Sequence, residues 1–212
     1  MKRQLLLISF LASLATGFTP AFAKTTATET LIVFDNPHLI ATASSKGIRG
    51  YFNTEHQRLN FSCAFFFEET GRQADSTIGI SSFPIQGRTK EDEIPGRVWA
   101  QNGEWIIQTD EPHAGCGGAV GTFYKGPGDD HPTRYSIARK IPAIGIRIVL
   151  RATKLKGRTV ALAAGDVVAA LEENGAFSRI RYVHPATGDI TTAWVRTRNL
   201  GNPFSPSANK IQ

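Results

Sequence analysis

The dominant hydrophobic period along the chain is two. In "RLNFSCAFFFEE", Leu59, Phe61, Cys63, Phe65 and Phe67 fall on one face and Asn60, Ser62, Ala64 and Phe66 on the other. That alternation predicts a strand with one buried face. In "VWAQNGEWIIQT", Asn102-Gly103 is the dipeptide of a type I′ hairpin turn, flanked by aromatic and β-branched residues. A turn there pairs Trp99 with Ile106 and Ala100 with Trp105. A second hairpin is predicted in "VVAALEENGAFSRIRYV", turning at Asn174-Gly175. A third joins "SRIRYV" to "TTAWVR" through "HPATGD". In "IGIRIVLR", Ile144, Ile146, Ile148 and Leu150 alternate with Gly145, Arg147, Val149 and Arg151.

No segment carries a long helical stripe. The Ala-, Leu- and Glu-rich run "VALAAGDVVAALEEN" comes nearest. Gly165-Asp166 interrupts it and Val167-Val168 disfavours helix, so a strand is predicted there too. The expected class is all-β. The Gly/Pro/Asp-rich stretch "YKGPGDDHP" and the breaker in "RKIPAIG" divide the chain by composition. Residues 24–140 are expected to form a β-rich domain, 144–201 a smaller one, and 202–212 a loose tail.

The N-terminus places the protein. Lys2 and Arg3 precede the apolar run "LLLISFLASL", and Ala21-Phe22-Ala23 has the small-x-small form of a signal-peptidase site. The run is shorter than the ~20 residues a membrane span needs, and no later segment is long and apolar enough. Residues 1–23 are thus read as a cleaved signal peptide and the mature protein as periplasmic or secreted. The chain's net charge is +6, of which Lys2 and Arg3 carry two, leaving a mature protein at +4. Mild basicity and export together argue against nucleic acid as a partner. Cys63 and Cys116 are the only two cysteines. In an oxidising compartment an even pair is read as a disulfide.

Residues 144–201 resemble the bacterial SH3-like domains found in exported and cell-envelope proteins. The resemblance lies in "LAAGDVVAALEENGAFSRIRYVHPATGDITTAWVRTRNL". Gly165-Asp166 opens a strand, Asn174-Gly175 turns, "RIRYV" follows, and Ala193-Trp194-Val195 stands at the family's Gly-Trp-Val before a closing Leu200. The resemblance implies a small β-barrel with no chemistry of its own that binds a cell-wall component or an envelope protein. Its inward positions would be Ile146, Ile148, Leu150, Val168, Ile180, Tyr182, Val195 and Leu200.

The sharpest candidate for chemistry is "HAGCGG", with His113 three positions before Cys116. A catalytic cysteine needs a depressed pKa, some exposure and an oriented base. The string matches neither the Ser-His-Gly-Cys motif of L,D-transpeptidases nor the Asp-Cys-Ser of papain-like wall peptidases. Cys63, on a Phe-lined face, is instead well placed to staple the loop. His113, Cys116, Asp129, Asp130 and His131 could gather round a metal, but they lack the doubled ligand spacing of a structural zinc site. "GCGGAVG" lacks the Lys-Ser/Thr of a phosphate loop. No metal, cofactor or catalytic residue is assigned.

Charge supplies the remaining signal. Between Asp130 and Asp166 there is no acidic residue, while Arg134, Arg139, Lys140, Arg147, Arg151, Lys154, Lys156 and Arg158 fall in that window. Alternation puts Arg147 with Arg151, Arg179 with Arg181, and Arg196 with Arg198 on outward faces. With Trp194 these six arginines are the candidate binding residues, a basic face for an anionic ligand. The function read from the sequence is a non-catalytic binding protein of the bacterial envelope. The alternatives are a periplasmic inhibitor or immunity protein against a wall-degrading enzyme, and a cysteine-dependent wall enzyme using Cys116 and His113.

Overall fold

A computed structural model of the chain describes residues 24–25, 27–56, 58, 60–73, 75–85, 88–116, 123–124, 133–155 and 161–205. Residues 1–23, read above as a signal peptide, the "GDDHP" residues of the metal reading and the last seven residues lie outside this set.

Eight antiparallel strands close into a barrel: β2 (Glu29–Phe34), β3 (Leu39–Ser44), β4 (Gly47–His56), β5 (Phe61–Arg72), β6 (Ile78–Pro84), β7 (Ile94–Gln101), β8 (Glu104–Thr109) and β9 (Arg134–Ala143). Each pairs with the next, and β9 returns to β2, matching Leu31 with Ile141 and Val33 with Arg139. Closure leaves the barrel no free edge. The β7–β8 hairpin has the register expected from its sequence, Trp99 opposite Ile106 and Ala100 opposite Trp105. Asn102 and Gly103 both have positive φ, 54° and 81°, as a type I′ turn demands.

The barrel interior is filled by its own side chains. Phe34, Phe52, Phe65, Phe67, Trp105, Phe123 and Tyr135 form one buried cluster with Ile32, Leu39, Ile48, Ile80, Val98 and Ile107. The Phe123 ring lies 4.7 Å from that of Phe52 and 4.8 Å from that of Phe65. An eight-stranded barrel is just wide enough for such filling. Gly50 faces inward between Ile48 and Phe52, and a Cβ there would overlap the Phe67 ring.

A second sheet covers one side of the barrel. Its order is β15 (Ile190–Arg196), β14 (Phe177–Val183), β13 (Val167–Asn174), β10 (Gly145–Val149), β16 (Leu200–Gly201). The short β1 (Lys24–Thr25) pairs with the end of β13, and β11 (Thr153–Lys154) pairs with β12 (Ala161–Leu162). The Ala/Leu/Glu run is thus strand from Val167 onward. The β13–β14 turn is Gly175–Ala176, one residue later than the sequence suggests, because Asn174 pairs with Phe177. Among the described residues no helix is long and apolar enough to cross a membrane.

Both faces of this sheet are buried at its centre, which corrects two expectations. On one face Val149, Leu155, Leu162, Val168, Ile180, Tyr182 and Val195 pack together, with Leu200 at the margin. On the other, Ile146, Ile148, Val167, Ala169, Leu171 and Val183 pack against outward barrel residues Leu31, Val33, Ile40, Tyr51 and Phe66. Ile146 and Ile148 therefore face the barrel rather than the small core, Val149 takes the core position, and Leu150 is exposed. For the same reason β5 is buried on both faces at Phe65–Phe67, while Phe61, expected in the core, is half exposed beyond the covered stretch.

Within the tail expected to be loose, Pro203 and Phe204 are buried. Phe204 is buried against Phe66, its ring 5.6 Å away, with the Arg49 guanidinium 5.0 Å from its centroid. The β14–β15 connection also meets the barrel. The Glu55 N–H donates to the Pro185 carbonyl (3.0 Å), and His38 on the β2–β3 turn lies against Gly188.

Candidate functional site

The "HAGC" segment is a tight turn closing one end of the barrel. The Cys116 N–H donates to the His113 carbonyl (3.0 Å). Gly115 sits third in the turn with φ +78°, the left-handed position of a type II turn, and a Cβ there would overlap the Ser62 carbonyl. Cys116 is disulfide-bonded to Cys63, their Cα atoms 4.5 Å apart, and no described cysteine is free. His113 is stacked on Phe65 at 4.5 Å between centroids. Its Nε2 lies 2.8 Å from Ser82 Oγ, and the Ser82 hydroxyl donates to the Ile94 carbonyl (2.9 Å). Because serine has one proton and the carbonyl receives it, Nε2–H is the donor to Ser82. Burial holds the His113 pKa down to about 4. The imidazole is a neutral packing and hydrogen-bonding group here, turned toward serine rather than toward a thiol.

Among the described residues no group of three His, Cys, Asp or Glu side chains could hold a metal ion. Asp129, Asp130 and His131 lie outside those residues.

The candidate basic residues divide between surfaces. Residues directly opposite in a ladder share a face. Phe177 pairs with Arg196, Arg179 with Trp194, Arg181 with Thr192 and Val183 with Ile190, so these eight side chains line one face of β14–β15. Arg147 pairs with Val168, and Val168 with Tyr182, both on the opposite face. The stripe running from Arg147 and Arg151 through the later arginines is therefore not formed. Arg147 donates from Nη1 to its neighbour's carbonyl, Ile146 O (3.0 Å). Arg151 lies in a bend and Arg198 in the 3-10 turn Thr197–Asn199, both exposed. The structure brings together Arg179, Arg181, Arg196 and Trp194, and separates Arg147, Arg151 and Arg198 from them.

The shared face is unusual in its exposure. Phe177, Ile190 and Trp194 are 44%, 52% and 41% exposed, and all three lie on it. It continues the face that, on β10 and β13, is covered by the barrel. On β15 that face is open at Ile190, Thr192, Trp194 and Arg196, and among the described residues β15 is also an unpaired edge of the sheet. Arg196 lies over Phe177 at 5.7 Å, and Arg179 reaches Glu172 at 3.6 Å. Arg181, where the covered and open parts meet, is only 4% exposed. Arg179, Arg181, Arg196 and Trp194 of this face are among the candidates named from the sequence, whereas Phe177, Ile190 and Thr192 are not. Their alternation with Ser178, Thr191 and Ala193 was the available signal.

Comparison of the chain with protein-family models, curated proteins and solved structures finds no match.

Proposed function

We propose that the protein is an exported, non-catalytic binding protein of the bacterial envelope. Residues 1–23 act as its signal peptide, and residues 144–201 form an SH3-like module beside the barrel domain. The ligand is a cell-wall component or an envelope protein, held on the open face of β14–β15. One observation carries this reading: three exposed large apolar side chains and two exposed arginines lie together on one sheet face. Aromatic and arginine side chains of this kind dominate binding sites, and large apolar side chains exposed together on one face mark an interaction surface. The small core under Val168 and Tyr182 and the 3-10 turn before the closing strand support the module assignment.

The cysteine-enzyme alternative needs a thiolate at Cys116. Its bond to Cys63 and the orientation of His113 toward Ser82 weigh against it.

Co-sedimentation of the mature protein with isolated wall sacculi, and pull-down from envelope extract, test the proposal together. Wild-type protein is expected in one of the two fractions, and Trp194→Ala in neither. Retention on wall material names a wall ligand. Capture of a wall-degrading enzyme that is thereby inhibited names the inhibitor reading. Retention that ignores Trp194→Ala contradicts the assigned face.

A further inference from the structure

Arg181 is a charged side chain left without a counterpart. It is 96% buried, its Nε has no hydrogen-bond partner, and among the described residues it makes no ion pair. The charged group that acts on it is another cation, Arg139 on β9, whose place opposite Val33 puts it on the barrel's outer wall. Burial first, and Arg139 second, hold the Arg181 pKa below its usual value. That does not neutralise it, because a guanidinium stays protonated in proteins.

A buried guanidinium with an unpartnered Nε is costly unless an anion completes it, and Arg139 enters the same contact between barrel and sheet, because its ladder partner Val33 packs with Ala169, the ladder partner of Arg181. The cost is also avoidable, since Arg181 lies opposite Ala169 and the neighbouring apolar positions show that an aliphatic residue packs there. Thr192, opposite Arg181 on β15, adds a hydroxyl, and Trp194 lies diagonally across the same face. The geometry points to an oxyanion site at Arg181 and Arg139, taking a phosphate or carboxylate group of a ligand whose uncharged part lies over Trp194. A guanidinium grips either group through two parallel N–H donors. This inference rests on the binding-face reading and supplies its ligand chemistry.

The test is the melting temperature of the mature protein titrated with inorganic phosphate and, separately, with acetate, at ionic strength held constant with chloride. A ligand that binds only the folded state raises the melting temperature steadily with the logarithm of its concentration above Kd. That rise is expected with phosphate, acetate or both, and the pattern tells which group the site takes. Arg181→Met is expected to melt no lower than wild type without added anion and to lose the rise. Should that variant fail to fold, Arg139→Met, changed at an exposed position, is expected to weaken anion binding about tenfold, one charge-assisted hydrogen bond. The proposal is overturned if neither anion exceeds chloride, if the rise survives both substitutions, or if a folded Arg181→Met melts well below wild type. Trp194-dependent retention of envelope material without any anion effect would remove the anion site and leave the binding face. An Arg181-dependent anion effect without such retention would do the reverse.

Discussion

Replacing Cys63 and Cys116 together by alanine removes the staple between β5 and the "HAGC" turn while leaving no buried hydroxyl behind. The two residues are separated by 53 positions. Loop-closure entropy for a cross-link of that span corresponds to about 4 kcal/mol of stabilisation at room temperature. Both side chains are buried in the barrel cluster, so small packing losses add to the entropic term. With a urea m-value of about 2 kcal/mol/M, typical of small proteins, the unfolding midpoint should fall by roughly 2 M. Urea unfolding of the double variant, and of wild type with and without reductant, measures this. Reduced wild type should fall toward the double variant. Either single serine variant should fall at least as far, because each breaks the same bond and leaves a hydroxyl among phenylalanines. Equal midpoints for oxidised and reduced wild type would show that the Cys63–Cys116 bond does not stabilise the fold. Titration of two thiols in denaturant without reductant would refute the bond itself.

Two further outcomes follow from the packing. Phe204→Ala should cost about 3–5 kcal/mol, the usual loss for a buried phenylalanine, although it lies in a segment that reads as a tail; an unchanged thermal midpoint would show that the Phe66–Phe204 contact stabilises nothing. His113 has a folded-state pKa of about 4 against an ordinary 6.5, so the unfolded chain binds the extra proton between those values. Its contribution is complete above pH 6.5 and is lost as pH falls toward 4. Urea midpoints compared for wild type and His113→Gln should converge across that window, and parallel pH profiles would contradict the assignment.

Local pairing was legible where turn chemistry dictates it. Asn102-Gly103 sets the register of Trp99 and Ala100, and the Val-Val pair after Gly165-Asp166 marks a strand. The disulfide was legible because Cys63 alternates in phase with Phe65 and Phe67. Which face each strand presents was not, because alternation fixes two rows but not what covers them. Ile146 and Ile148 form a valid inward row, yet the row containing Val149 enters the small core because the barrel offers Leu31, Val33 and Tyr51 to the other. The unbroken "FFF" at Phe65–Phe67 is the signal of such double burial. Closure of β9 onto β2 joins strands some hundred residues apart, with no local turn to announce it. The arginines were legible as charges but not as a site. Placing Arg147 and Arg179 on opposite faces needs the register, and the burial of Arg181 needs the barrel beside it.

Photo-crosslinking in intact cells puts the proposed binding surface, the open face of β14–β15, to a direct test. A photoreactive amino acid at Thr192, between Ile190 and Trp194 on that face, is compared with one at Lys46 in the exposed β3–β4 turn of the barrel. A specific adduct is expected from position 192, lost when Trp194→Ala is added, and none from position 46. Adducts from position 46 with none from 192 would contradict it and move the ligand to the barrel.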